Sequence, residues 1–188
     1  MKKFPLFIML ALLIGAVLTS CVDSNSDIDT TWRDANLKFY QEQMQLKDAN
    51  GNPYYKLIVA PWDANAQVLV HWYNDPAETA ENLSPLYSST VDVKYRLTMY
   101  DGTPKDSSFN LTTQYGDSIF RTKLTSVVSG WPIAITKMHI GDSCRVVVPH
   151  TQGYGIYDYI YDYGTIKGYS TLVFDIKLVG IPYYEAKP

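Results

Sequence analysis

Cysteine is almost missing from this chain, with two in 188 residues, and the first of them ends an apolar leader. Cys144 is then the one thiol left to the mature domain, which excludes an intramolecular disulfide. In Ser143-Cys144-Arg145-Val146-Val147-Val148 the residues Cys144, Val146 and Val148 share one strand face, so a buried small hydrophobe is expected there. Histidine is as scarce: His71, His139 and His150 are scattered, none at a metal-ligand spacing, and each is expected to be an ordinary structural, surface or loop residue. No Ser-His-Asp, Cys-His or metal constellation stands out. These absences are consistent with an activity that needs no nucleophile, proton shuttle, metal or cofactor, and equally with no enzyme at all. Positive charge is short too, with 16 Lys and Arg against 19 Asp and Glu, a net −3 that becomes −5 if Lys2 and Lys3 leave with a cleaved leader. That balance argues against a nucleic-acid partner and against a basic membrane-binding face. With no internal repeat and no second core-sized segment, a chain that is 46% hydrophobic and 19% charged makes one compact domain plus extensions.

Long uncharged stretches are confined to the N-terminus. Lys2 and Lys3 precede a run from Phe4 to Ser20, rich in Leu, Ile and Ala, which matches a secretory signal and is marginal for a membrane span. Its end, Leu18-Thr19-Ser20-Cys21, resembles the bacterial lipoprotein signal. The resemblance implies a signal peptide over 1–20, lipid on Cys21, and a cell-envelope location on a bacterial membrane, facing the periplasm or the cell surface. The alternative is an N-terminal membrane anchor with an unmodified Cys21. Residues 21–31 continue as a polar tether of Ser, Asn, Asp and Thr.

What the chain has in quantity is tyrosine, 16 residues, which points to an aromatic-lined surface or pocket. Trp32, Ala35, Phe39, Tyr40 and Met44 fit a helical stripe between Thr31 and Leu46, with Asp29 or Thr30 as cap; it either covers the core or pairs with a second copy. Strands are predicted over Tyr55–Val59 and Val68–Tyr73, around a loop containing Pro61, followed by an irregular insertion over Asp75–Ser89. Residues 32–89 thus form an N-terminal helix and extension strands. Val91, Val93, Tyr95, Leu97 and Met99 alternate with polar residues as a half-buried strand that Asp101-Gly102 turns. Phe109–Ser126 reads as loop. Val127–Gly141 reads as a strand end, a short helix and a turn: Gly130 breaks the valine pair, Pro132 suits a first helical turn, and Trp131, Ala134, Ile135 and Met138 repeat at helical spacing. Leu172, Phe174, Ile176 and Leu178 form the inward set of a closing strand. The predicted class is α+β, an antiparallel sheet wrapped around one short helix with an N-terminal helical extension. In the loop Gly155–Tyr169, Tyr157, Tyr159, Tyr161 and Tyr163 alternate with other residues, so four rings share a face that either overhangs a pocket or packs on the sheet.

Five segments stand in a familiar order: Val91-Asp92-Val93-Lys94-Tyr95 with Asp101-Gly102 and Asp106-Ser107-Ser108; Val127-Val128-Ser129-Gly130-Trp131; Met138-His139-Ile140-Gly141-Asp142; Val148-Pro149 through Gly153-Tyr154-Gly155; and Ser170-Thr171-Leu172-Val173-Phe174-Asp175. Together they resemble the FKBP-type peptidyl-prolyl isomerases. The resemblance implies a domain over 90–188 with a curved sheet of five or six strands, action on X-Pro bonds of proline-containing polypeptides, and binding of an FK506-like macrolide. It implies catalytic roles for Asp106 at the rim, Tyr154 as a hydroxyl donor and Trp131 as the floor. Substrate-binding roles fall on Tyr95 as a wall, on Val127 and Val128 at the side, with the Val128 N–H toward a substrate carbonyl, and on Ile166 and Phe174 at the far side.

The chain departs from the family pattern in three places. Lys105 stands where an aromatic residue usually precedes the aspartate, Phe120 neighbours the usual phenylalanine position, and Ile166-Lys167-Gly168 replaces a common Ile-Pro-Pro. These changes predict modest activity, Lys105 because it brings a hydrated charge into an apolar wall. They keep open a rival of another class, an FKBP-like binding or chaperone module with little isomerase activity, and more distantly a lipoprotein that captures carbohydrate or peptide with its tyrosines.

Overall fold

A computed structural model describes residues 29–162 and 164–184; the leader, Cys21, most of the tether and Tyr163 lie outside the described residues. In chain order the elements are α1 (Thr30–Gln45), β1 (Lys56–Ala60), β2 (Asp63–Trp72), β3 (Thr90–Met99), β4 (Pro104–Ser107), β5 (Thr112–Thr113), β6 (Gly116–Asp117), β7 (Phe120–Lys123), α2 (Gly130–Ile135), β8 (Ser143–Val148), β9 (Tyr159–Tyr161), β10 (Gly164–Ile166) and β11 (Leu172–Gly180). Seven of the strands make one antiparallel sheet in the order β1-β2-β8-β11-β3-β4, with β7 on β3. β5–β6 and β9–β10 are separate small hairpins. The extension strands therefore share the sheet of the later chain, because β2 pairs β8 along Leu69↔Val147 to Trp72↔Cys144.

Strand alternation divides the sheet into two apolar faces. Val68, Val70, Val93, Tyr95, Leu97, Cys144, Val146, Val148, Phe174 and Ile176 point inward and join α2 in the main core, while Leu69, Val147 and Val173 point outward to Tyr40 and Tyr55. Helix α2 is central because all six of its residues are buried, so it presents no wet face at all. The spacing of Trp131, Ala134 and Ile135 marks the helix, but Gly130, Pro132 and Ile133 are as deeply enclosed. Gly130 is where this matters most: a Cβ there would lie 2.5 Å from Val148 Cγ1, so only glycine lets the helix start sit flush on β8. Cys144 is fully buried with its Sγ 3.8 Å from Met138 Sδ, and burial pushes its thiol pKa up, so it is packing and not chemistry.

The structure decides two alternatives left open for α1 and corrects four local expectations. On α1, Asp29 is the cap, its Oδ1 accepting the Trp32 N–H at 2.9 Å, and the helix covers the domain's outer face. Its fully covered residues are Asn36 and Tyr40, with Trp32 and Phe39 partly covered; Met44 is exposed, because the helix runs past the surface it covers. Phe109–Ser126 is not simply loop: it holds β5, β6 and β7, the last a run of four residues too short to show alternation in sequence. Val127 is not a strand end but extended chain after a 3₁₀ turn over Leu124–Ser126. The tyrosine-rich loop folds back as β9–β10, pairing Ile166 with Tyr159.

Candidate active site

Where β3, β11 and α2 meet on the inner face, the sheet and helix enclose a cavity of about 490 Å³. Trp131 is 3% exposed, as is Phe174, because it occupies the first turn of a helix that the sheet surrounds. Three rings stand edge-on to the indole: Tyr95 at 5.2 Å, Phe174 at 5.4 Å and Phe120 at 6.3 Å between centroids, with interplanar angles of 76°, 87° and 88°. Edge-to-face contacts of this kind add about 0.5–1.5 kcal/mol each to the area they bury. The Trp131 Nε1–H is buried with no hydrogen-bond acceptor among the described residues.

Besides Ser126 and Ser129, two polar groups interrupt the apolar lining. Register pairs Asp106 with Leu97, which puts the carboxylate on the inner face. Its Oδ2 accepts the Tyr95 hydroxyl at 2.6 Å and its Oδ1 the Ser107 N–H at 2.7 Å. Arg121, a possible partner on sequence grounds, is instead bound to Asp92 through two contacts of 2.7 Å. Burial first, then the Asp106 hydrogen bond and charge, hold the Tyr95 phenol far above its ordinary pKa, so it remains a donor. The second polar group is Tyr154, whose pKa burial pushes up to about 12 and whose ring stacks on Tyr159 at 4.1 Å and 14°. Between them the Val128 N–H makes no hydrogen bond among the described residues.

Tyr95, Asp106, Val127, Val128, Trp131, Tyr154 and Phe174 all line this one cavity, although they come from positions 95 to 174. Ile166 is not among the lining residues; it lies in the core, 2% exposed, and reaches the cavity only through its strand partner Tyr159. Lys105 also lies off the cavity. It falls at the register shift between Leu97↔Asp106 and Thr98↔Pro104, and its Nζ donates to the Thr165 carbonyl at 3.3 Å, so it brings no charge into the apolar wall. Sequence reasoning left Phe120 unplaced and did not find Leu97, Ser126, Ser129 or Gly153. The signal for Phe120 was its place in a short Phe-Arg-Thr-Lys strand whose register sets it opposite inward-facing Val93.

The comparisons agree with this geometry. The family model for FKBP-type peptidyl-prolyl cis-trans isomerase matches residues 83–179. FK506-binding protein 1 of Saccharomyces cerevisiae is 29% identical over 97 residues, covering 52% of this chain and 80% of that protein. Peptidyl-prolyl cis-trans isomerase FKBP15-1 of Arabidopsis thaliana is 35% identical over 104 residues, covering 52% of this chain and 61% of that one. Among solved structures, a peptidyl-prolyl cis-trans isomerase of Pseudomonas syringae superposes with a TM-score of 0.60 at 25% identity, covering 81% of this chain and 94% of that one. The matched span runs from just before β3 to the end of β11 and contains every residue lining the cavity. With the fold, the aromatic cavity and the family match in agreement, the chain belongs to the FKBP-type peptidyl-prolyl cis-trans isomerases.

Proposed function

We propose that the X-Pro bond is turned in the cavity over Trp131, with Asp106, Tyr154 and the Val128 N–H as the polar contacts. The single observation that carries this reading is four aromatic rings, Tyr95, Phe120, Trp131 and Phe174, converging on one cavity beside an acceptor and two donors. Rotation about a peptide bond meets a barrier of roughly 18–20 kcal/mol because resonance gives the C–N bond double-bond character. The twisted amide loses that resonance and much of its charge separation. Water stabilises the planar, polar ground state, so an apolar cradle that excludes it favours the twisted form. The proline ring rests on the indole, the Val128 N–H and the Tyr154 hydroxyl hold substrate carbonyls, and Asp106 stands at the rim near the rotating amide. The Tyr95 hydroxyl fixes Asp106 in place. No bond to the enzyme forms and no proton need move.

The clients are exported polypeptides, and the protein meets them at a bacterial membrane to which a lipid on Cys21 attaches it. This part of the reading rests on Lys2, Lys3, the apolar run and Leu18-Thr19-Ser20-Cys21. No helix among the described residues is long and apolar enough to cross a membrane. Protease-coupled isomerisation of Xaa-Pro peptides tests the cavity: the wild type accelerates exchange and an FK506-like macrolide blocks it. Peptides that bind in the cleft without any acceleration would leave a binding module. Fatty-acid labelling in the native cell tests the anchor, since Cys21→Ser must abolish both label and membrane partition.

A further inference from the structure

We infer that helix α1 is a working part of the site, because it clasps the stretch that follows β10, the strand paired to β9, which carries Tyr159 to the cavity. The inference rests on the cavity being the prolyl site. Tyr159 lines that cavity, stacks on Tyr154, and pairs with Ile166 across the β9–β10 hairpin. Ile166 runs directly into Lys167–Thr171, and this stretch is held by α1. Lys167 Nζ donates to Asp29 Oδ2 at 3.0 Å and sits 5.4 Å from the centroid of Trp32. Ser170 Oγ donates to the Lys167 carbonyl at 2.6 Å and accepts the Trp32 Nε1–H at 3.2 Å. The Thr171 N–H donates to Asn36 Oδ1 at 2.7 Å, and Thr171 Oγ1 donates to the Asn36 carbonyl at 3.1 Å. Asn36 completes the set by donating from Nδ2 to the Trp32 carbonyl at 2.8 Å. It is fully buried, so an amide sits on the covered face of the helix where an apolar residue would suffice for packing. A satisfied buried network of this kind fixes one arrangement of the groups it joins.

The same stretch is braced from the other side, where the Gly168 N–H donates to Asp158 Oδ1 at 2.9 Å and the Tyr169 N–H to the Gly155 carbonyl at 2.9 Å. A Cβ on Gly168 would lie 2.1 Å from the Ile156 carbonyl oxygen, and Tyr169 keeps φ at +62°. A bulky residue holds that conformation only where its surroundings over-determine it. A rim already fixed in one conformation loses less freedom when substrate binds, so the clasp acts on affinity. Trp131, Tyr95 and Asp106 stand on α2, β3 and β4, and among the described residues their hydrogen bonds and ring contacts go to groups outside the clasp, so turnover of bound substrate depends on it much less.

The test compares the full wild-type chain with Lys167→Met, which keeps the aliphatic stem, Trp32→Phe, which keeps a ring and removes the N–H, and Asn36→Ala. Hydrogen exchange over 157–171, thermal midpoint, KM and kcat on one Xaa-Pro peptide are measured for each. The expected result is faster exchange in that stretch and a KM raised about threefold or more, with a smaller change in kcat. Lys167→Met should keep a thermal midpoint close to the wild type, because a half-exposed ion pair adds little stability. If Asn36→Ala does not fold, the other two variants decide. Unchanged exchange in folded variants would overturn the clasp, and faster exchange with KM and kcat both unmoved would overturn its part in the site. Absence of isomerisation in the wild type would instead count against the prolyl reading of the cavity. Calorimetric affinity for the same peptide would then decide the clasp in place of KM.

Discussion

The Tyr95–Asp106 hydrogen bond separates the rim from the floor, and a double-mutant cycle on it tests the proposed roles most directly. Tyr95→Phe removes a hydroxyl and nothing else from a side chain 7% exposed, while Asp106→Ala removes the acceptor from an exposed position on β4. A hydrogen bond to a charged group contributes about 1.5–3 kcal/mol where water cannot replace it. Here the phenol is buried but the carboxylate is open to solvent, so water recovers part of the loss and a coupling of about 1 kcal/mol is expected. The fold should survive, because Ser108 holds Tyr95 independently: the Tyr95 N–H donates to Ser108 Oγ at 2.9 Å and the Ser108 N–H to the Tyr95 carbonyl at 3.0 Å. In Tyr95→Phe the freed carboxylate leaves its place near the amide and in Asp106→Ala it is gone, so each single variant should lose about fivefold in kcat/KM, the rate equivalent of 1 kcal/mol. The double variant should lose little more than either alone. Both quantities come from denaturant melts and a protease-coupled assay on four proteins. Additive losses, or single variants within twofold of the wild type, would show that the bond does not position Asp106 for the reaction.

Three further outcomes follow from the geometry. Trp131→Ala should cost about 3–5 kcal/mol in a denaturant melt, because the indole is core to Tyr95, Phe120 and Phe174 as well as floor; a loss below about 1 kcal/mol would contradict that packing. Lys105→Phe should leave kcat/KM within about twofold and not raise it, since the ammonium sits on the Thr165 carbonyl outside the cavity, and a clear gain would show that it does reach the wall. Burial lowers the pKa of His150, which lies 5.0 Å from the Tyr169 ring. The unfolded chain then binds the proton more readily than the folded one, so stability is lost as pH falls below the ordinary value of 6.5 toward the lowered one. His150→Gln should flatten that limb of a pH titration of the thermal midpoint, and an unchanged slope would exclude His150 as its source.

Long alternations and short punctuated runs were legible before any coordinates. Val91 to Met99 and Leu172 to Leu178 became β3 and β11 because period-two patterns over seven or more residues admit few other readings. The same clarity placed Trp131 behind its glycine and ahead of its proline. Features that depend on partners distant in sequence were hidden. β7 is four residues long and exists because β3 offers an edge; Asn36 looks like the wet side of a helix until Thr171 arrives from 135 positions away. Lys105 is a related case: it neighbours Asp106 in sequence, but a register shift that only the β3 pairing creates leaves it at a bulge, with its ammonium on the Thr165 carbonyl. The cavity was legible to the extent that its residues lie in regular elements. Ile166 was one strand pairing too deep, and Tyr159, its partner, holds the cavity position instead.

The distribution of burial decides where this site can vary without unfolding the domain. Trp131 and Phe174 are core residues before they are cavity residues, each 3% exposed and each packed on the other, so substitution there removes fold and function together. The rim is built differently. Tyr159 is 43% exposed, sits on a three-residue strand of a separate hairpin, and owes its place to pairing with Ile166 and stacking on Tyr154, while the stretch after Ile166 is held by hydrogen bonds that involve Asp158, Ser170 and Asn36. Bonds of that kind each contribute about 1 kcal/mol net, so changes at the rim perturb the whole domain far less than changes at the floor. On the proposed roles, substrate preference is adjustable through the hairpin and the hold of α1 on it, while the apolar floor stays fixed by the packing of α2 inside the sheet.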